Sequence, residues 1–148
     1  MALLSDIGQL LTDNGLVDGV SDYTLRLGMM PTDPDRVVAL YEYPGRPPEP
    51  TPSTVPQSPN NPAPTDPTTW VTYPTLQVRV RSPKGEYAEA RAKVEAIFRY
   101  LHARLGVVVG TRSYLHILAQ SDPLPLGQDD VGRPELTQNF TTVIQETI

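Results

Sequence analysis

Between residues 75 and 105 the apolar positions change period, and the rest of the chain is arranged around that change. Leu76, Val78 and Val80 alternate with Gln77, Arg79 and Arg81, the period of two that a strand with one buried face demands. After the turn Ser82-Pro83-Lys84-Gly85, apolar residues recur at steps of three and four: Tyr87, Ala90, Val94, Ile97, Phe98, Leu101 and Leu105. At about 100° per residue these positions share one stripe of a helix. Glu89, Lys93, Glu95, Arg99 and Arg104 occupy the other side, where Glu89–Lys93 and Glu95–Arg99 have the spacing of helical ion pairs. The strand's apolar face and the helix's stripe are complementary, which predicts the core of one α+β domain.

The flanking pattern adds further elements. Residues 2–14 read as an amphipathic helix with Leu3, Leu4, Ile7, Leu10 and Leu11 on one side, stopped by Asn14-Gly15. Residues 23–29 alternate weakly as a strand, and the Pro-Thr-Asp-Pro-Asp run after them reverses the chain. Residues 36–43 are β-branched and aromatic on both faces, the pattern of a central strand or one covered by a partner. Residues 107–110 are expected to connect the long helix to a strand at 113–120, which makes a βαβ unit if the flanking strands are parallel. Residues 121–136 read as a loop and 138–146 as the last strand. The expected architecture is a four- to five-stranded mixed sheet with two helices packed mainly on one face, in a single domain spanning 1–148.

Composition changes this picture at one place. Ten of the 17 prolines lie between Pro44 and Pro67, so residues 44–69 form a Pro-rich arm inserted into a chain of otherwise ordinary globular make-up. Such spacing favours extended, polyproline-like backbone and excludes a helix or a central strand. The arm is either a surface insert or a segment that lies against a neighbouring subunit, with Trp70, the only tryptophan, as its anchor.

A net charge of -5 argues against a protein that grips nucleic acid, and the lack of cysteine excludes disulfides, thiolate metal sites and a cysteine nucleophile. No apolar run reaches the roughly 20 residues of a membrane span, and the first residues lack the basic region of a signal peptide, so a soluble protein made in the cytoplasm is expected.

Candidate chemistry is sparse. His102 and His116 are the only histidines and have no ligand set or catalytic partner at recognisable spacing. Asp129-Asp130 with Arg133 lacks the alternating acids of a calcium loop and reads better as a turn held by an internal Arg–Asp pair. Arg79, Arg81 and Arg112 could form a phosphate-contacting strip, but the acidic total favours polar side chains on a sheet's outer face, toward water or another subunit. The Ser82–Gly85 turn lacks the spacing of a nucleotide loop and reads as a capped tight turn. No cofactor or metal is called for, and a structural protein is expected rather than an enzyme.

Two stretches, YPTLQVRVRSPKGEYAEARAKVEAIFRYLHA and YLHILAQSDPLPLGQDDVGRPELTQNFTTV, together with the leading helix and its short strands, resemble the tail terminator or minor capsid family of long-tailed bacteriophages. The resemblance implies a small α/β subunit of a ring, typically a hexamer. Such a ring caps the tail tube, stops its polymerisation and joins the tail to the neck. The implied partners are other copies of the chain, the tube protein and a neck or head-completion protein, with DNA passing through the lumen without specific binding and no membrane involved. The implied location is the tail–neck junction of the virion, after assembly in the host cytoplasm.

The expected contact residues are Tyr41, Tyr43, Pro47, Pro48, Val55, Trp70, Asp129, Asp130, Arg133 and Phe140. The rival within the class is another neck, head-completion or tube ring protein. The rival outside it is a cytosolic adaptor whose Pro-rich arm is a ligand for an aromatic-lined groove.

Overall fold

Residues Pro134–Thr147, rich in Thr, Val and Ile, form a 14-residue strand that is the spine of the molecule. The computed structural model describes residues 2–19, 21–52 and 65–147. In chain order the elements are α1 (Ala2–Asp13), β1 (Thr24–Leu27), β2 (Val37–Tyr43), β3 (Glu49–Pro52), β4 (Thr65–Thr72) and β5 (Thr75–Arg81). They continue with α2 (Tyr87–Leu101), β6 (Arg104–Val109), β7 (Arg112–Ala119), β8 (Leu124–Gln128) and the spine, β9 (Pro134–Thr147).

On one side β9 pairs antiparallel with β5 through Glu135–Thr141 and with β4 through its last residues. On the other it pairs with β8 at its start and β7 along its second half, and β6 completes that side. Beyond β5 come β2 and then β1, the latter parallel to β2, so the sheet is mixed. The α+β class holds, but the described sheet has nine strands rather than four or five.

Each extra strand has a local cause. The helix stops at Leu101, not at residue 105, because Ala103 turns into the left-handed region at φ 61° and the Val107–Val109 run prefers a strand. The segment expected as a connection is therefore β6, in a hairpin with β7; β7 and β5 both run antiparallel to β9 and so parallel to each other, the orientation expected of the strands flanking α2, with β9 lying between them and β6 inserted in the connection. β8 lies inside the expected loop, with an irregular register between Pro125 and Gly127. The two ends of the Pro-rich arm form the β3–β4 hairpin; β3 lies at the sheet's edge, but β4 lies between β3 and β9, an interior place that the proline spacing is expected to exclude, with Pro67 falling outside the paired positions of either neighbour.

One face of the curled sheet carries the core. Val38, Leu40, Leu76, Val78, Val80, Tyr114, Ile117, Leu136, Phe140 and Ile144 meet Leu3, Leu4, Ile7 and Leu11 of α1 and Ala90, Val94, Ile97 and Leu101 of α2. The stripe read from sequence is this core, except that Tyr87 is exposed at the start of α2, Leu105 is exposed on β6, and Phe98 is half-buried and stacked on His102. Gly8 lets α1 approach β1: a Cβ there would stand 2.9 Å from Leu25 Cδ2.

The doubly apolar pattern of β2 also finds its reason. Val37 and Ala39 are buried on the face away from the helices. On that face the loop over 31–35 is held by Arg81, the cross-strand partner of Val37, whose guanidinium donates to the carbonyls of Pro31, Thr32, Pro34 and Asp35.

Two polar links fasten the helices. Arg112 donates to both oxygens of Asp6 on α1 at 2.5 and 2.7 Å, and the Tyr114 hydroxyl donates to the same carboxylate at 2.5 Å. Glu89 of α2 accepts from Arg36 rather than pairing with Lys93, which donates to the Leu16 carbonyl and to Ser21. Glu95 does pair with Arg99, at 3.9 Å, and more closely with Arg91, at 2.8 Å. The α2 N-terminus carries no side-chain cap, contrary to the capped turn expected there.

Candidate assembly interface

Three surface features follow from this architecture. The first is a groove of about 640 Å³ where β2, the start of the arm and the β4–β5 turn converge, lined by Tyr43, Pro44, Arg46, Pro47, Pro48 and Tyr73 among others. Its walls are held from within. The Arg46 guanidinium lies 3.7 Å from the centre of the Tyr73 ring and 3.7 Å from Glu49, and the Tyr73 hydroxyl donates to Glu49 at 2.9 Å. Gly45 makes the convergence possible: a Cβ there would sit 1.6 Å from the Tyr73 carbonyl oxygen. Tyr43 is 45% exposed and its hydroxyl approaches Gln77 at 3.4 Å.

The second feature is the β6–β7 hairpin. β6 pairs only with β7 among the described strands, so its other side is a sheet edge. Leu105 is 71% exposed and Val108 67%, with Leu115 and Leu118 exposed on β7 beside them. Natural edges are blunted by proline, charge or a covering element. β3 carries two prolines and the free side of β1 is sealed by Asp18, which accepts from the Leu25 N–H. After Arg104 at its first position, β6 holds no proline and no charge.

The third is the turn between β8 and β9. Asp129 accepts from the N–H groups of Val131 and Arg133 and from Arg133 Nε at 2.7 Å, while Arg133 also donates to Thr32 and Asp35 across the loop over 31–35. Burial opposes the charge on Asp129, but these donors outweigh it and hold its carboxyl below the usual range. The turn with an internal Arg–Asp pair is thus what forms. Asp129 and Arg133 are used up inside the subunit, and Asp130 alone of the three is exposed.

The other expected contact residues divide. Pro47 and Pro48 are exposed in the groove, Tyr41 is half-buried beneath the Arg79 guanidinium, and Trp70 is half-buried on β4 opposite Glu146. Phe140 is fully buried in the core and offers no contact surface, because it falls on the inward parity of β9 beside Leu76. Val55 lies outside the described residues. The three arginines form no strip: Arg79 lies over Tyr41, Arg81 grips the loop over 31–35, and Arg112 faces α1.

His102 Nδ1 accepts the Ala119 N–H, and among the described residues no group of three or more His, Cys, Asp or Glu could hold a metal. The residues missed in sequence were Leu105 and Val108, absorbed into the helix and a connection, and the Arg46–Tyr73–Glu49 set. A signal for the first existed in the β-branched run ending at Gly110-Thr111, a hairpin pattern.

The fold is an α+β domain whose mixed sheet packs on a single core, with an uncovered strand edge and an aromatic groove on its surface. The family model for the bacteriophage tail terminator protein matches residues 10–146, from within α1 to the end of β9. The chain belongs to the bacteriophage tail terminator family and is a structural component of the phage tail. Among curated proteins, none matches it in sequence. No described helix is long and apolar enough to cross a membrane.

Proposed function

We propose that this chain assembles into a closed ring, hexameric as the family resemblance implies, that caps the tail tube, ends tube polymerisation and presents a surface to the neck. The observation that carries the reading is the bare edge of β6 with Leu105 and Val108 exposed on it. An unprotected apolar edge is a liability in a monomer and a contact in an assembly. A head-to-tail contact between different patches of identical subunits closes into a ring when the rotation allows.

In this reading the partners are further copies, the tube protein and a neck or head-completion protein, assembled in the host cytoplasm. The acidic total suits a lumen that DNA traverses without sticking. Light scattering at two protein concentrations, with and without purified tail tubes, tests it. The expected species is six chain masses, in solution or on the tube end, and Val108→Lys should abolish it while leaving the melting temperature unchanged. A chain that stays monomeric in both settings would overturn the reading.

A further inference from the structure

The exposed edge of β6 and the groove beside Tyr73 stand at opposite ends of one row of strands. Val108 pairs with Ser113, Ser113 with Gln145, Gln145 with Val71, and Val71 with Glu49. At about 4.8 Å per strand the row is roughly 19 Å across, measured along the sheet. Leu105 and Val108 are exposed at its near end. The groove adjoins its far end, with Tyr73 from the β4–β5 turn and Pro47 and Pro48, just before Glu49, in its lining. Each subunit thus has an aliphatic edge on one side and a tyrosine-bearing groove on the other, the side chains found at the apolar centre of interfaces. Charge separates the two surfaces as well. The hairpin from Arg104 to Ala119 holds two arginines and no acid. Arg112 is engaged by Asp6 and Glu146, whereas Arg104 meets the Tyr100 carbonyl and ring and no acid among the described residues. At the groove the charged residues are Glu42, Arg46 and the adjoining Glu49, two acids to one base. A basic edge and a net-acidic groove are complementary.

We infer that the groove of each subunit receives the β6 edge of the next copy, with Leu105 and Val108 against its tyrosines and prolines and Arg104 at its rim. A second copy is favoured over any other occupant because both halves of the contact are built into every subunit, at opposite ends of a single row. A contact between two different surfaces of one chain runs head to tail and closes into a ring when the rotation allows. Two β6 edges facing each other would instead close a pair, bring two acid-free hairpins together and leave the groove unused. β3 itself has a proline at two of its four positions and is a poor partner for backbone pairing, so the acceptor is the side-chain surface of the groove. The inference rests on the ring reading and deepens it, by naming what the exposed edge of β6 meets.

The absence of cysteine allows site-specific cross-linking. Val108→Cys and Pro48→Cys, both at exposed positions, are treated as intact chains with a short bismaleimide, in solution and on tail tubes, and read on denaturing gels beside the native mass. The expected result has three parts: no cross-link for either variant alone, a species of two chain masses when the two are co-expressed, and a ladder reaching the ring mass for the Val108→Cys/Pro48→Cys double variant. Val108→Cys linked to itself or to tube subunits, or a double variant linked only within one chain mass, overturns the inference. Rings of full mass with no cross-link also overturn it while leaving the ring reading standing. A chain that forms no ring in either setting brings down both.

Discussion

Asp6 is almost wholly buried yet remains satisfied, because Arg112 presents two donors to its oxygens and Tyr114 a third. Burial, then the hydrogen bond to Asp6, pushes the Tyr114 hydroxyl well above the ordinary phenol range. Removing one member leaves the others desolvated, so Asp6→Ala should cost about 3 kcal/mol in urea unfolding. The Asp6→Ala/Arg112→Met double variant should cost less than the sum of its parts, because it no longer strands a charge.

The pH dependence follows from other groups at this scale. Arg36 holds the Glu89 carboxyl below its usual value, and the turn donors hold Asp129 below its own. Carboxyls with lowered folded values stabilise the fold above the unfolded range, and that contribution is lost as pH falls through the folded values. Melting temperature should therefore be level from pH 7 to about 5 and fall below about pH 4, with a shallower fall in Asp129→Asn. At the alkaline end burial pushes Tyr23 up to about 12, the Ser82 hydrogen bond opposing and Glu89 reinforcing. Stability should thus decline as pH rises above about 10, where the unfolded phenol ionises.

At the scale of elements, α2 and β6 share a boundary that decides what each does. Val94 is fully buried between α2 and the sheet, and Val94→Asp places an unpaired charge there. That substitution should unfold the subunit, at a cost of several kcal/mol, seen as loss of the cooperative melt by circular dichroism. One turn past the helix the same class of change has the opposite consequence. Val108→Lys on the exposed edge should leave the melt alone and act on association, because a charged edge strand repels a pairing partner. The contrast between the two variants separates folding from assembly.

For the molecule as a whole, the two ends of the Pro-rich arm belong to the sheet. β4 continues the sheet beyond β5 along the last residues of β9, and β3 covers it. Replacing residues 53–64, which lie outside the described residues, with a short Gly-Ser link should leave the melting temperature within about 2 °C, because the pairing of β3 with β4 and of β4 with β9 is kept. A melt that collapsed would instead show the segment to be part of the subunit's own stability.

The alternation through Leu76, Val78 and Val80 and the stripe through Val94, Ile97 and Leu101 were legible from the amino-acid order alone, because period and burial are properties of neighbours along the chain. The Asp129–Arg133 turn was legible for the same reason, since both partners lie within four residues. The resemblance of two long stretches to the tail terminator family needed no coordinates either. What only the tertiary structure decided was how distant segments meet. Register placed Phe140 in the core rather than on the surface, and pairing with β7 turned an apparent connection into the edge strand β6. Convergence of residues 43–48 with Tyr73 made a groove that joins the end of β2 and the start of the arm to the β4–β5 turn. None of these depends on local propensity: each is fixed by which strand lies beside which, and that is settled by long-range burial around β9.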